Sequence, residues 1–232
     1  MAQSTISANE LIKGHAATLQ DSVGEEFNNF YFFDPNASYK EVLELQELLV
    51  DKLKKNPLSK QVYKLVGEHP PTYTGGLSVG KERIKKLGKD FSGEVVQTDR
   101  GGQIMYHGPG QLTLYFIFNL KEHFTGPKDY VSSLFESVRQ YFFNNHDLEL
   151  EYKKQGLWLK DKKVGFMGIR IKNGVVYHGI SLNFFTDLKP FLNESPCDIS
   201  GSEVGNLFTS LLATLFIKDE AKNLVSNAPF KR

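Results

Sequence analysis

Apolar residues recur at the spacing of one helix face in several parts of this chain. A Ser-x-x-Glu capping box at 38–41 precedes such a pattern, which predicts a helix over Tyr39–Lys54. Pro127 begins a second amphipathic pattern, as expected because proline is favoured in the first turn of a helix. An apolar helix near 207–216 and a short charged helix after Lys218 complete the predicted helices.

Between these helices, short apolar or alternating runs predict β-strands. Asn173-Gly174 is the strongest short hairpin signal and joins the last two runs as antiparallel neighbours. Two segments rich in glycine, 68–80 and 100–111, are predicted as loops. Hairpins mixed with separated helices favour an α+β domain over a wound parallel sheet. The predicted strands are 61–67, 94–98, 112–118, 148–152, 156–159, 164–171 and 175–184.

Length and charge narrow the class of protein. The 232 residues suffice for one domain with a full core, and 28 basic against 27 acidic residues argue against a nucleic-acid binder. No apolar run approaches the ~18 residues of a membrane span, so no membrane partner is expected. Residues 1–30 lack the pattern of a secretory or organellar leader, and we expect an N-terminal extension there and a single domain over 31–232. The expected location is the cytoplasm, with the mitochondrial matrix as the alternative for a eukaryotic source.

Cys197 is the only cysteine in the sequence. It follows a proline and precedes an aspartate, a context typical of a turn that can present a thiol to a cleft. A lone cysteine is either a small buried hydrophobe or a reactive thiol, and the neighbouring residues leave both possibilities open. Because a free thiol is mostly protonated at neutral pH, a nucleophilic cysteine needs a nearby cation or base.

Lys163 is the candidate partner of this thiol. It stands at the start of the predicted strand 164–171, where loss of water would let it act as a cation beside the thiol or as a base. The alternative is that Lys163 is the last residue of a solvated turn with Lys160 and Lys162. Sequence spacing does not separate these interpretations.

The segment 100–111 holds four glycines between two predicted strands, and is either a wide turn or a loop whose backbone approaches a ligand. It lacks the Gly-Lys-Ser/Thr of a phosphate-binding loop and the strand-to-helix setting of a dinucleotide fingerprint, so no nucleotide cofactor is expected. The six histidines are dispersed without ligand spacing, so no metal is expected. His107 and His178 each occur in Tyr-His-Gly, and the two segments are candidates to line one cleft.

Seven motifs, in order along most of the chain, resemble the lipoyl(octanoyl) transferase family. The second, Arg-Gly-Gly-Gln followed by Tyr-His-Gly-Pro-Gly-Gln-Leu, is nearly the family signature. One such fragment would be weak evidence, whereas seven in order are specific. The motifs occupy 68–76, 100–112, 156–158, 163–170, 177–183, 196–197 and 209–211.

The resemblance implies the fold of biotin and lipoate protein ligases, an α+β catalytic domain with mixed sheets flanked by helices, and no cofactor. It implies that Cys197 carries an octanoyl thioester taken from octanoyl-acyl carrier protein and that Lys163 activates the thiol. The implied acceptors are lysines of the lipoyl domains of 2-oxoacid dehydrogenase complexes and of the glycine cleavage H protein, in the first step of lipoate biosynthesis and protein lipoylation. The residues implied to bind the acyl group are Arg100, Gly101, Gly102, Gln103, Ile104, Met105, Tyr106, His107, Phe166, Met167, Gly168, His178, Gly179, Ile180 and Ser181.

Two positions depart from the family pattern. Met105 stands where the family usually has a small hydroxyl residue, and Asp198 stands where a glycine commonly follows the cysteine. A carboxylate facing the thiol would raise the thiol pKa and oppose Lys163. Two rival functions stay open: an ATP-dependent lipoate ligase, which shares the implied fold and needs no cysteine, and a catalytically impaired module that binds the acyl carrier, which Asp198 beside the thiol suggests.

Overall fold

The computed structural model describes residues 30–89, 91–193, 200–210 and 217–230. All but the last residue of the expected N-terminal extension therefore lies outside the described residues. The strands are β1 (Phe30–Phe32), β2 (Val62–Gly67), β3 (Thr72–Gly75), β4 (Glu94–Gln97), β5 (Ile104–His107), β6 (Gln111–Asn119), β7 (Leu150–Lys153), β8 (Gly156–Leu159), β9 (Lys162–Lys172) and β10 (Val175–Asn183). The helices are α1 (Tyr39–Lys54), α2 (Lys81–Leu87), α3 (Leu120–His123), α4 (Pro127–His146), α5 (Lys189–Asn193) and α6 (Ile217–Ser226), and Gly201–Glu203 forms a 3₁₀ turn.

Seven strands form the main sheet, in the order β1-β2-β6-β10-β9-β8-β7. Each neighbouring pair is antiparallel except β1 and β2, which run parallel. The hairpin predicted at Asn173-Gly174 joins β9 to β10, and φ values of 52° and 84° at these residues are those of a type I′ turn.

Local sequence explains where the two long helices begin and end. The capping box predicted for α1 is present: the Glu41 amide donates to Ser38 Oγ, and the Ser38 amide donates to a Glu41 carboxylate oxygen 2.8 Å away. Helix α4 begins at Pro127 and ends where Asp147 takes a left-handed conformation with φ 53°. Both predicted helices are confirmed.

Helices cover both faces of the main sheet. In the central strand β6, Tyr115 and Ile117 face α1, whereas the alternate residues Leu114 and Phe116 face α4 and α6. Burial on both faces explains why β6 reads in sequence as one continuous apolar run.

A second, three-stranded sheet has the order β4-β3-β5. The prediction of uninterrupted loops over 68–80 and 100–111 is therefore wrong in part, because β3 and β5 lie within them and pair with each other. Both strands are only four residues long, and their partners are distant in sequence, so local pattern did not reveal them.

The C-terminal region departs from the predicted helices in one place. Residues 207–210 of the predicted helix 207–216 are not helical, and 211–216 lie outside the described residues. The short charged helix after it is confirmed as α6. None of the helices in the described ranges is long and apolar enough to cross a membrane. The α+β class is confirmed.

Candidate active site

A narrow cavity lies where β5 of the small sheet meets β6, β9 and β10 of the main sheet. Its volume is about 20 Å³, which is the space that one water molecule needs. The cavity is lined by Tyr39, Arg100, Met105, His107, Thr113, Tyr115, Phe166, Met167, Gly168, His178, Gly179, Ile180 and Ser181.

The structure thus brings together most residues of three separate sequence motifs. Gly101, Gly102 and Gln103 instead line an open groove beside the cavity, which shares Met167 and Gly168 with it. The remaining two, Ile104 and Tyr106, do not line the cavity and are buried in a hydrophobic cluster of the small sheet that also includes Met105.

Arg100 and His107 are held by a buried hydrogen-bond network. The Arg100 guanidinium donates to the Thr74 carbonyl, 2.8 Å away, and His107 Nδ1 lies 2.7 Å from the Gln111 side-chain oxygen. The Gln111 side-chain amide donates 2.9 Å to Asn183, so the Gln111 oxygen accepts and His107 Nδ1 carries the proton. Burial, reinforced by the Arg100 charge, lowers the pKa of His107 to about 3. The imidazole is therefore neutral.

His178 has an unusual backbone for a residue inside a strand. Its φ of 60° lies in the left-handed region, and its ring stacks on the ring of Tyr177, 4.7 Å away, instead of pointing to the opposite face. His178 Nε2 lies 3.0 Å from a carboxylate oxygen of Asp99, and the Tyr177 hydroxyl donates to the other oxygen. The left-handed backbone at His178 thus directs the side chains of Tyr177 and His178 to Asp99, which precedes Arg100.

The protonation states of Asp99 and His178 follow from these contacts. The hydrogen bond from His178, opposed by partial burial, holds the pKa of Asp99 at about 2. Burial lowers the pKa of His178, although Asp99 opposes the effect. His178 Nδ1 and the hydroxyl of Thr113 are both buried without a hydrogen-bond partner among the described residues. The cavity wall therefore contains two polar atoms that a bound molecule or water can satisfy.

Lys163 is fully buried, whereas the Lys162 side chain is 46% exposed. The solvated-turn interpretation of Lys163 is therefore wrong. Its ammonium donates to the Lys154 carbonyl, 3.2 Å away, and lies 5.2 Å from the ring centroid of Phe166, a wall of the cavity. Gly156 makes room for the lysine stem, because a Cβ there would lie 2.2 Å from Lys163 Cε.

Cys197 and Asp198 lie outside the described residues, but both flanks of their segment are described. On one side, the Phe191 ring stacks on Phe166 at 5.7 Å with an interplanar angle of 10°. On the other side, Val204 forms a parallel bridge with Lys163, and the Gly205 amide donates to the Lys163 carbonyl at 3.0 Å. Both flanks therefore contact the strand that carries Lys163.

Sequence reasoning missed several residues of this site. Tyr39, Thr113 and Tyr115 line the cavity, and Asp99 anchors the wall residue His178. No motif marks the first three, since they meet only when α1 and β6 pack together. In the described ranges, no three His, Cys, Asp or Glu side chains are grouped so that they could hold a metal ion.

The chain resembles known proteins over most of its length. Residues 38–227 match the family model of the lipoyl protein ligase A/B catalytic domain. An octanoyltransferase of Neisseria meningitidis is 41% identical over 140 residues, which is 60% of this chain and 66% of that protein, just under two thirds. An octanoyltransferase of Alkalilimnicola ehrlichii is 36% identical over 158 residues, which is 67% of this chain and 72% of that protein.

Solved structures show the same fold at low sequence identity. P. falciparum LipL1 in complex with lipoate is 18% identical with a TM-score of 0.56, covering 84% of this chain and 60% of that chain. Lipoate-protein ligase A bound with ATP is 15% identical with a TM-score of 0.56, covering 81% and 82%. The lipoate-ligase-like fold expected from the sequence is thereby confirmed, and the chain belongs to the octanoyltransferase family of lipoyl protein ligase A/B catalytic domains.

Proposed function

We propose that this protein transfers an octanoyl group from an acyl carrier protein to a lysine of a lipoyl domain, through a thioester on Cys197. One observation carries the proposal: Lys163 is buried against Phe166, which also lines the narrow cavity formed by the motif residues. A cation placed beside an apolar cavity is suited to a reaction at the head of an acyl chain.

The covalent chain keeps Cys197 close to this point. Cys197 is four residues from Gly201, so their Cα atoms lie at most ~14 Å apart in an extended chain. Gly201 packs tightly against the Phe191 backbone, because a Cβ there would lie 2.0 Å from the Phe191 carbonyl oxygen. The two described flanks therefore meet where the Phe191 ring stacks on Phe166. This geometry supports the pairing of the Cys197 thiol with the Lys163 ammonium.

In the first step, the Cys197 thiolate attacks the carbonyl carbon of the donor thioester. A carbon–sulfur bond forms to Cys197, and the bond to the donor sulfur breaks. The nearby ammonium of Lys163 favours the attacking thiolate and gives a proton to the departing donor thiolate. The octanoyl chain occupies the cavity when the Met105 and Met167 side chains move aside.

In the second step, the amine of the acceptor lysine attacks the Cys197 thioester. An amide bond forms, Cys197 leaves as a thiolate, and the now neutral Lys163 takes the proton that the amine releases. Both steps exchange one acyl bond for another, so neither needs ATP.

Intact-protein mass spectrometry tests the proposal. We expect octanoyl-acyl carrier protein to add the mass of one octanoyl group to the wild-type protein and to leave Cys197→Ser unmodified. Addition of a lipoyl domain should remove the adduct from the enzyme and place it on the domain.

Three outcomes would overturn the proposal. An adduct that survives in Cys197→Ser would remove the cysteine from the mechanism. Lipoyl-domain modification that requires free lipoate and ATP, with no acylation by the carrier protein, would instead establish a ligase. Carrier binding without acylation would identify an impaired binding module.

A further inference from the structure

A groove of about 630 Å³ lies directly beside the narrow cavity. It is formed by the glycine-rich loop, the first half of α4, the turn between β7 and β8, and the edge of β9. Its lining residues are Gly101, Gly102, Gln103, Val131, Phe135, Tyr152, Lys154, Gln155, Met167, Gly168 and Ile169.

The groove meets the cavity at the part of β9 that has no β8 neighbour. Pairing between β8 and β9 stops at Phe166, and farther along β9 the Gly101 amide donates to the Ile169 carbonyl at 3.0 Å. Met167 and Gly168 lie between these two points and belong to both the groove and the cavity. Of these two residues only Met167 has a side chain, and a methionine side chain is unbranched and adaptable.

The groove also reaches the candidate catalytic lysine. Lys154 and Gln155 form the turn between β7 and β8, with φ values of 46° and 53°, and line the groove. The Lys154 carbonyl accepts the hydrogen bond from the Lys163 ammonium. A molecule in the groove is therefore adjacent both to the reacting end of the site and to the entrance of the acyl cavity.

The residues that line the groove suit an extended ligand in which amide and methylene groups alternate. Gln103 and Gln155 supply side-chain amides, and the glycine-rich loop supplies backbone. Val131 and the stacked rings of Phe135 and Tyr152, 4.3 Å apart, supply apolar surface. Such mixed surfaces bind ligands that carry few polar groups on an apolar body.

We propose that this groove binds the pantetheine-like arm of the acyl donor and that the acyl chain passes into the cavity beside Met167. This inference rests on the proposed octanoyltransferase function. It adds a binding site for the donor arm that is separate from the cavity for the acyl chain.

The test fills the groove without touching the cavity or Lys163. Val131→Trp places a large ring on the α4 side, and Ser132→Trp, at the exposed neighbouring position outside the groove, is the matched control. The acylation rate is measured by intact mass with two donors: octanoyl-coenzyme A, which carries the whole arm, and octanoyl-N-acetylcysteamine, which carries only its tip. Tyr152→Ala, at a ring that is 45% exposed, is a second variant that opens the groove instead of filling it.

We expect Val131→Trp to lower acylation by the long-arm donor by roughly ten- to hundredfold, the loss typical of a misplaced substrate, and to spare the short donor. Tyr152→Ala should raise KM for the long-arm donor only. Equal effects on both donors, or none, would overturn the proposal. So would slowing confined to transfer onto the lipoyl domain, which would assign the groove to the acceptor. Failure of the wild type to be acylated by octanoyl-acyl carrier protein would instead refute the proposed function.

Discussion

At the scale of single residues, Lys163 stands out because its side chain is fully buried. Burying an ammonium is costly unless it finds strong partners. Here a backbone carbonyl and the face of an aromatic ring supply them. Such a position is difficult to explain by stability alone, because an apolar side chain of similar length would avoid the cost of desolvation.

Replacing this ammonium by an apolar group should separate its chemistry from its packing. We expect Lys163→Met to keep the circular dichroism spectrum of the wild type and to lose acylation by roughly 10²- to 10⁴-fold, the range for removal of a positioned proton-transfer group. Lys162→Met, one residue earlier and at a side chain that is 46% exposed, should retain the rate. A Lys163→Met protein that acylates at the wild-type rate would contradict the assignment.

Met105 is the wall residue whose replacement should alter the choice of acyl chain. Its side chain is 4% exposed and lines a cavity of only about 20 Å³. We expect Met105→Thr, which introduces a smaller side chain, to increase the rate with decanoyl relative to octanoyl donor in a competition assay. Met105→Leu, similar in volume, should keep the wild-type preference. An unchanged chain-length profile in Met105→Thr would remove Met105 from the determinants of specificity.

At the scale of elements, the sequence predicted those features that depend on near neighbours. The capping box of α1 and the Asn173-Gly174 turn are local signals, and both are present. Strands β3 and β5 were missed because each is short and is stabilised by pairing with distant residues. The redirected side chain of His178 was also not predictable, since it depends on contacts with Asp99 and with Gln46 of α1.

Gly156 of strand β8 positions Lys163, because the absence of a side chain there leaves space for the lysine stem. We expect Gly156→Ala to displace the Lys163 stem and reduce acylation nearly as much as Lys163→Met. Because the new Cβ would also lie 2.5 Å from the Gly165 carbonyl oxygen, the free energy of unfolding should fall by about 1–3 kcal/mol. Chemical denaturation and acylation rates measure the two effects.

Gly80→Ala is the matched control, because a Cβ there meets nothing within 4 Å. It should leave the acylation rate unchanged and, because Gly80 is the N-cap of α2, lower the free energy of unfolding by no more than about 1 kcal/mol. Full acylation activity in Gly156→Ala would show that Lys163 does not need the space that Gly156 leaves.

At the scale of the whole molecule, three buried histidines link stability to pH. Burial lowers the pKa of His69, His107 and His178 below the ordinary value of 6.5. Near and below that value the unfolded chain therefore binds protons that the folded chain does not, so stability falls as the pH decreases. Each histidine contributes up to about 1.4 kcal/mol per pH unit in that range.

Chemical denaturation between about pH 7.5 and 5 measures this dependence. We expect the free energy of unfolding to decrease steadily toward the acidic end. His69→Gln should make the decrease less steep, because glutamine can still bond the Tyr115 hydroxyl but does not titrate. A free energy of unfolding that does not change over this range would contradict the burial of neutral histidines.

The site as a whole was predicted where motifs mark it and missed where packing creates it. Arg100, His107 and His178 were identified because they belong to motifs. The cavity they line also needs Tyr39 and Tyr115, which carry no local signal. The pairing of Lys163 with the Cys197 segment was proposed from the family resemblance, and its described flanks became visible only in the fold.

The order of strands in the main sheet has a consequence for how the protein matures. β7 to β10 are successive neighbours that can pair soon after synthesis, whereas β6 pairs with β2 and β10 across long stretches of chain. We expect pulse-labelled hydrogen exchange to protect the β9–β10 amides before those of β2. The cavity is lined by residues of both groups of strands, so we expect it to form only after β6 has paired. An incompletely folded chain can therefore form the hairpins of β9, which carries Lys163, before it has a cavity that could bind an acyl group.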